Sequence, residues 1–306
     1  MIRFIIRRIL ISIPVLFIIA AISFFMIKKA PGGPFAKEKS APPEVIKKIE
    51  AQYGLNEPVH KQFFTYLKNA VLHGDLGPSY RYANWSVNDL ILSGFPVSLE
   101  LGCWALMIAM VIGIPIGVIA SIRKNSLSDY LPMSIATIGI CLPSFVMGPL
   151  LVGVFALWLK WYNSSGWDFS YDRILPALTL GGYYAAYLAR LTRGGMLEVL
   201  NQDFIRTARA KGVSEVAIVT KHALQIGLRP VISFLGPATA GLLTGSFVVE
   251  TIFDIPGLGR YFVTSAFNRD YLLLMGSILF YAVLIVTMNL IVDILQVWLN
   301  PKLRFE

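Results

Sequence analysis

The sequence is short of charged residues, cysteine and histidine. Charged residues make up 15% of the 306 residues, against about 25% in soluble domains. Its two cysteines, Cys103 and Cys141, both lie inside apolar runs. There they are expected to behave as small hydrophobic side chains rather than to form a disulfide. With three histidines in 306 residues, the sequence predicts no metal site.

The common catalytic and nucleotide-binding patterns are also missing. No GxxxxGK[ST] phosphate loop occurs, so any ATP that drives this protein must be bound by another chain. Neither HExxH nor GxSxG is present, and no plausible pair of nucleophile and base appears. We therefore expect no catalytic residues, no cofactor bound by this chain and no intramembrane enzyme.

Apolar residues are abundant, at 56% of the chain. A membrane-spanning helix needs about 20 mostly apolar residues, and the chain has six such runs, of which the fourth is short. The third run is long enough to need tilting or bending, and Pro132, Pro143 and Pro149 give it places to bend. The predicted fold class is an all-α integral membrane protein with about six transmembrane helices: 9–27, 101–122, 130–159, 174–189, 230–249 and 271–292.

The short loops divide into a basic set and a set with few cations. If the N-terminus is cytoplasmic, the basic loops also lie on the cytoplasmic side. This agrees with the rule that lysine and arginine are enriched in cytoplasmic loops of membrane proteins. Both termini are therefore predicted to be cytoplasmic. The net charge of +9 then reflects cytoplasmic loops, and no nucleic-acid partner is expected.

Three parts of the chain are predicted. Residues 1–28 form the N-terminal segment and an uncleaved first span, and residues 29–97 form an extracytoplasmic helical segment. Residues 98–306 form a five-helix core with a cytoplasmic hairpin at about 203–229. Within the second part, apolar periodicity predicts amphipathic helices at 42–54 and 58–74, ending at Gly54 and Gly74. They are interpreted as a structural cap on the spans or as a docking surface for a soluble partner.

The hairpin contains FIRTARAKGVSEVAIVTKHAL, residues 204–224. Gly212 is expected to end one helix in the left-handed conformation, and Ser214 to cap the next. Val216, Val219 and Ala223 are expected to form an apolar stripe, and His222 to cap or pack the second helix. The residues alone also allow an ordinary solvated loop or a basic helix lying on anionic lipid.

A known family is indicated by DFIRTARAKGVSEVAIVTKHALQIGLRPV, residues 203–231. This stretch resembles the cytoplasmic signature of inner-membrane permease subunits of binding-protein-dependent ABC importers. The Glu-Ala-Ala triplet of that signature corresponds to Arg206, Thr207 and Ala208, so the family's Glu is absent, and the signature's Gly is Gly212. GDLGPSY at 74–80, FPVSLELG at 95–102, ETIFDIPGLGRYF at 250–262 and NRDY at 268–271 also match in order and spacing. The set resembles the oligopeptide and dipeptide branch.

The resemblance implies a type I ABC importer permease fold and a multi-pass protein of a bacterial inner membrane. The hairpin would then insert into a groove of a cytoplasmic ATPase. The implied partners are a second permease subunit, two P-loop ATPase subunits that hold ATP and Mg²⁺, an extracytoplasmic peptide-binding protein, the lipid bilayer and the peptide substrate. The implied coupling residues are Arg206, Thr207, Ala208, Ala210, Lys211, Gly212, Val213, Ser214 and His222.

The substrate path is less well defined by the sequence. Glu250 near an outer span end, with Thr244, Gly245 and Ser246, is a candidate lining. Glu250 is expected either to meet a peptide amine or to pair with an arginine of a neighbouring subunit. The small residues of the fifth span serve close helix packing, a pathway lining, or both. A dipeptide, nickel, glutathione or antimicrobial-peptide permease, and in a different class a self-sufficient secondary transporter, remain alternatives.

Overall fold

The computed structural model describes residues 2–30, 54–244 and 247–299. Every named regular element in these ranges is helical, which confirms the all-α class. The α-helices are α1 (Ile2–Lys29), α2 (Val59–Lys68), α3 (Val87–Ile122), α4 (Leu127–Cys141), α5 (Ser144–Leu151), α6 (Ile174–Leu200), α7 (Asp203–Ala210), α8 (Glu215–Ala217), α9 (Leu224–Gly227), α10 (Arg229–Thr244), α11 (Phe247–Ile252), α12 (Leu258–Asn268) and α13 (Tyr271–Leu299). Asn69–His73, Val152–Trp158 and Ile218–Ala223 are π-helical, and Ser170–Arg173 is a 3₁₀ turn.

Three described helices are long and apolar enough to cross a membrane. They are Ile5–Lys29, Val87–Ile122 and Tyr271–Ile294, and they contain the first, second and sixth predicted spans. Leu127–Cys141 and Ser144–Trp158 form a fourth candidate, bent by 112° at the break between them. The fourth and fifth predicted spans fall on α6 and α10, neither of which meets this criterion. The count of six therefore stays a prediction.

The bend in the third span lies at Pro143, one of the three predicted positions. A residue before proline is pushed out of the helical region, and Leu142 is extended, with ψ of 117°. Pro143 is extended too, and α5 restarts at Ser144. The other two prolines, Pro132 and Pro149, lie inside helices.

The described structure divides into two compact units, Met1–Val97 with Pro256–Leu290 and Ser98–Ile255 with Ile291–Glu306. The predicted three-part division of the chain is a different one and stays a prediction. In the first unit, α2 packs on α1 through a cluster of Phe24, Phe63 and Tyr66. The second amphipathic helix predicted for this region is α2 with its π turn, which ends at Gly74 with φ of 64°. The first one falls outside the described residues except for Gly54, whose φ is 66°.

Two of the sequence motifs meet in the first unit. The Ser79 hydroxyl of GDLGPSY donates a hydrogen bond to the Asp270 carboxylate of NRDY, and both side chains are buried. The same carboxylate accepts from the backbone N–H of Leu273 at 3.2 Å, in the first turn of α13. These motifs therefore fasten a loop to the start of a span.

In the second unit, α3 and α6 lie in close backbone contact. A Cβ atom built on Gly113, Gly117 or Gly181 would lie 2.5 Å from a backbone carbonyl oxygen of the facing helix. Only glycine permits such an approach, because any side chain would overlap the carbonyl. This packing fixes α6, the helix that leads into the hairpin.

Candidate functional site

The 203–229 hairpin stands on a buried apolar stem. Ile205 of α7 and Ile218, Val219 and Ala223 of the following π segment are buried together with Met196 and Val199 of α6. Side chains from both arms thus pack on the last turns of α6. Burying apolar surface of this kind contributes about 25 cal/mol per Å², so the hairpin is fixed to α6 rather than free to pivot.

The turn at the tip is closed as the sequence predicts. Gly212 has a φ of 78°, and its N–H donates to the Arg209 carbonyl at 3.0 Å. The N–H of Val213 donates to the Ala208 carbonyl at 3.2 Å. Ser214 caps the second arm, since its hydroxyl accepts from the Ala217 N–H at 3.4 Å. The predicted helix, tight turn and helix are confirmed.

An ion pair braces the two arms beside the turn. Both guanidinium nitrogens Nε and Nη2 of Arg209 donate to the Glu215 carboxylate, at 2.6 and 3.2 Å. The hydrogen bond from Arg209 holds the pKa of Glu215 below its ordinary value. The sequence correctly predicted Glu215 in a first helical turn, but the pairing with Arg209 was not predicted. The signal for it was the presence of opposite charges on either side of Gly212.

The predicted coupling residues cover the solvent-facing part of the hairpin. Ala208 and Val213 are half-buried against the stem, and the others are exposed: Arg206, Thr207, Ala210, Lys211, Gly212, Ser214 and His222. Arg206, which replaces the family's Glu, pairs with Asp203 at 3.2 Å. Within the described residues no ion pair involves Lys211 or Lys221. The tip therefore presents small residues with a surplus of positive charge.

Two details of the predicted second arm are wrong. Val216, assigned to the buried stripe, is 74% exposed, and Ile218 is buried in its place. The reason is the π-helical segment Ile218–Ala223, whose wider i→i+5 turns shift the side chains away from the spacing of an α-helix. His222 is exposed in the same segment and does not pack into the stem.

A buried ion pair joins α6 to the bent third span. Asp129 in the first turn of α4 is 1% exposed and accepts from Arg193 Nε at 2.5 Å and from Nη2 at 2.8 Å. Its second oxygen also accepts from the Asn125 N–H at 3.0 Å. Arg193 precedes Met196 of the hairpin stem by three residues, so one end of α6 contacts both the hairpin and α4. Sequence reasoning missed this pair, although a single acid at the start of an apolar run was a signal for it.

The candidate path residues are only partly described. Glu250 of α11 is buried and accepts a hydrogen bond from the Ser98 hydroxyl at 2.7 Å. Thr244 ends α10, and Gly245 and Ser246 lie outside the described residues. Their assignment to a substrate path stays a prediction.

Small residues of α10 serve close packing. A Cβ on Gly236 would lie 2.1 Å from a Val292 methyl group, and one on Gly241 would lie 2.3 Å from the Tyr184 hydroxyl. The packing role expected for the fifth span is therefore confirmed at these two glycines. A pathway-lining role on another face is compatible with this.

The fold and the hairpin together define a helical membrane component with a polar hairpin packed on α6. The family model described as "Binding-protein-dependent transport system inner membrane component" matches residues 113–305, and its N-terminal companion matches residues 1–102. This chain belongs to that family and is an inner-membrane component.

Curated relatives match over the whole chain. The oligopeptide transport system permease protein OppB of Salmonella typhimurium is 48% identical, with 100% of each chain covered. The dipeptide transport system permease protein DppB of Bacillus subtilis is 43% identical, covering 100% of this chain and 99% of the relative. The glutathione transport system permease protein GsiC of Escherichia coli is 40% identical over both full lengths. These relatives are transport permeases, in agreement with the expectation that the chain is not an enzyme.

Solved structures support the fold. An inward-facing form of the MetNI methionine ABC transporter superposes with a TM-score of 0.59 at 16% identity, covering 69% of this chain and 96% of that one. An amino acid ABC transporter with histidines gives a TM-score of 0.54 at 18% identity, covering 68% and 94%. At these identities the likeness concerns the fold, which is that of type I ABC importer permeases.

Proposed function

We propose that this chain is a channel-forming subunit of an ATP-driven peptide importer. The 48% identity to an oligopeptide permease over the full length of both chains is the observation that carries the proposal. In this account, oligopeptides arrive from an extracytoplasmic binding protein and pass inward by alternating access. This chain forms the pathway with a second permease subunit, and two cytoplasmic ATPase subunits bind ATP and Mg²⁺.

The hairpin is the contact to an ATPase subunit in this proposal. Its exposed tip has small residues that let another backbone approach and cations that suit an acidic groove. Its stem transmits displacement, because Ile205 and Ile218 are packed against α6 and cannot slide without opening the apolar cluster. From α6 the displacement continues to α4 through Arg193 and Asp129. The hairpin thus acts as a lever on the bent third span.

Co-purification tests this contact. The tagged chain is extracted from native membranes in mild detergent, and accompanying proteins are identified by mass spectrometry. Val216→Asp places an acid on the exposed start of the second arm, beside the tip. It is expected to lower recovery of P-loop ATPases by about tenfold or more, as loss of an interface hot spot does. The second permease subunit is expected to remain.

Val59→Asp is the matched control, because Val59 is an exposed valine outside the hairpin. It should leave ATPase recovery unchanged. Equal ATPase recovery from both variants would show that the hairpin does not contact the ATPase subunits. A wild-type chain that emerges alone would contradict the multi-subunit importer.

The proposed orientation places both termini and the hairpin in the cytoplasm. It can be tested in a chain whose two cysteines are replaced, by adding either Thr220→Cys in the hairpin or Ser164→Cys in the loop before α6, both at exposed positions. A membrane-impermeant thiol reagent should label position 164 in intact cells and position 220 only after permeabilisation. The reverse pattern would invert the topology.

A dipeptide or glutathione substrate is the second candidate. It is favoured by the full-length matches to DppB and GsiC, at 43% and 40% identity. Competition for uptake among an oligopeptide, a dipeptide and glutathione distinguishes these substrates. The proposal expects the oligopeptide to compete at the lowest concentration.

A further inference from the structure

The first unit contains a cavity of about 650 Å³, within the range of roughly 300–1,000 Å³ typical of small-molecule sites. Its walls come from the C-terminal end of α1, from α2, from the loop before α3 and from the first turns of α13. No residue of the hairpin lines it, and a ligand bound there is independent of the proposed transport function.

The ends of two membrane-spanning helices place this cavity at the level of the lipid headgroups. Lys28 lies in the last turn of α1 and Tyr271 is the first residue of α13, and both line the cavity. Hydrocarbon gives way to headgroups where spans end, and lysine and tyrosine are common there.

The cavity lining changes character from one side to the other. Phe24, Ile27, Leu272 and Met275 give it an apolar wall that belongs to the spans. The wall from α2 and the neighbouring loops carries polar groups, among them Asp75. An occupant must therefore be polar on one side and apolar on the other, as a phospholipid is between headgroup and acyl chains.

Tyr66 lines this cavity, and its hydroxyl is an unsatisfied donor buried in the cavity wall. Tyr66 is 8% exposed, and its hydroxyl has no hydrogen-bond partner within the described structure. Burial raises the pKa of Tyr66, and the nearby Asp75 raises it further, so the group is protonated and able to donate. A buried hydroxyl without a partner is costly, and a bound acceptor would remove that cost.

Two opposite charges in the cavity also have no counter-ion among the residues that the structure describes. In the described part of the chain no ion pair involves Lys28, whose ammonium lies 5.7 Å from the Phe24 ring centre. One oxygen of Asp75 accepts from the Gly77 N–H at 2.9 Å, and no described group bonds to the other oxygen. By contrast, Lys61 pairs with Glu57 at 2.8 Å. Among the charged side chains that the structure describes in the lining, one cation and one anion are left over, beside the Tyr66 hydroxyl.

We propose that this cavity binds the headgroup of a zwitterionic phospholipid with a primary ammonium, as in phosphatidylethanolamine. The phosphate is held by the Lys28 ammonium and the Tyr66 hydroxyl, and the lipid ammonium donates to Asp75. The acyl chains follow the exposed apolar face of α1, where Ile18 and Ile22 lie.

The charges select among lipids. A trimethylated ammonium has no N–H to donate to Asp75, so phosphatidylcholine is a weaker ligand. An anionic headgroup such as that of phosphatidylglycerol leaves Asp75 without a cation. A peptide also carries a cation and an anion, at its two termini. However, a peptide has no need of a site at the headgroup level beside an exposed apolar helix face, whereas a phospholipid does.

The test uses the full-length chain with the subunits that accompany it, stripped of lipid in detergent. Phosphatidylethanolamine, phosphatidylcholine and phosphatidylglycerol with identical acyl chains are added separately, and bound lipid is counted by native mass spectrometry. The wild type is expected to retain phosphatidylethanolamine with about tenfold preference. Lys28→Gln and Tyr66→Phe should each lower that retention by about tenfold, the size expected for one charged hydrogen bond. Asp75→Asn should abolish the preference over phosphatidylcholine.

Lys29→Gln and Tyr171→Phe are matched controls, since both side chains are exposed and neither lines the cavity. They should retain lipid as the wild type does. Without lipid, Tyr66→Phe should unfold at the same temperature as the wild type or higher, because it removes an unsatisfied hydroxyl, so misfolding does not explain its loss of lipid. Equal retention of the three lipids, unchanged retention in the cavity variants, or displacement of the lipid by a peptide would overturn the proposal.

Discussion

At the scale of single residues, Glu215 both starts the second arm of the hairpin and bonds Arg209 across the turn. Its side chain and that of Arg209 are both substantially exposed, so solvent screens the pair and its contribution is small. What makes the pair informative is its dependence on pH.

The lowered pKa of Glu215 gives that dependence a definite sign. The pKa of this carboxylate is lower in the closed hairpin than in an open one, so its charge stabilises the closed hairpin at pH values above the ordinary glutamate pKa of about 4.3. This stabilisation is lost as the pH falls through the lowered pKa. Glu215→Gln should therefore speed hydrogen exchange of the backbone amides in residues 203–223 at pH 7. The difference from the wild type should disappear only in acid, below the ordinary pKa of a glutamate.

Glu57→Gln is the control for this measurement, because Glu57 pairs with Lys61 outside the hairpin. It should leave exchange in residues 203–223 unaltered. A difference between Glu215→Gln and the wild type that is largest in acid would contradict the assigned pairing.

Residue roles that depend on local conformation could be predicted from the sequence. Gly212 and Ser214 act through the backbone of the turn that contains them, so their residue types were sufficient. Val216 could not be placed, because its exposure depends on a π-helical segment that tertiary packing selects. Nothing in the α-helical spacing of the arm indicates that segment.

At the scale of secondary-structure elements, α6 contacts both the hairpin stem and α4. The contact to α4 is the bidentate pair between Arg193 and Asp129. Breaking a buried pair leaves an uncompensated charge, which costs 3–5 kcal/mol when both partners are buried. Arg193 keeps 28% exposure, so the cost is reduced.

Asp129→Asn is therefore expected to destabilise the protein by about 2–3 kcal/mol, seen as a lower unfolding temperature in detergent. Asp203→Asn is the matched control, since it breaks an exposed aspartate–arginine pair with Arg206. Its cost should be below about 0.5 kcal/mol. Equal effects of the two substitutions would show that the Asp129 pair does not hold α4 to α6.

Elements defined by short-range pattern were also predictable. The first, second and sixth spans follow from uninterrupted apolar runs, and the bend of the third follows from Pro143. The Asp129–Arg193 pair joins residues 64 positions apart, which no local pattern indicates. The fourth span was the least clear from the sequence, because about half of the residues of α6 are buried by protein, which relaxes the need for an apolar surface.

At the scale of the whole molecule, ordered motifs along the chain indicated the family, and the comparisons confirm it over essentially the full length. The motifs were informative because several perform structural tasks, as the Ser79–Asp270 bond does. Substrate and pathway could not be predicted in the same way. In the proposed account the pathway lies between subunits, so the sequence of one chain holds only part of it, and a path that accepts many peptides needs few selective side chains.

Peptide uptake by reconstituted proteoliposomes tests the central claim most directly. The chain is assembled with ATPase subunits and the proposed second permease subunit, and the binding protein is added outside. Uptake of a labelled oligopeptide is measured with and without ATP. The account predicts uptake that requires ATP and the binding protein, and that falls about tenfold or more with Val216→Asp. Uptake by this chain alone, without ATP, would contradict it.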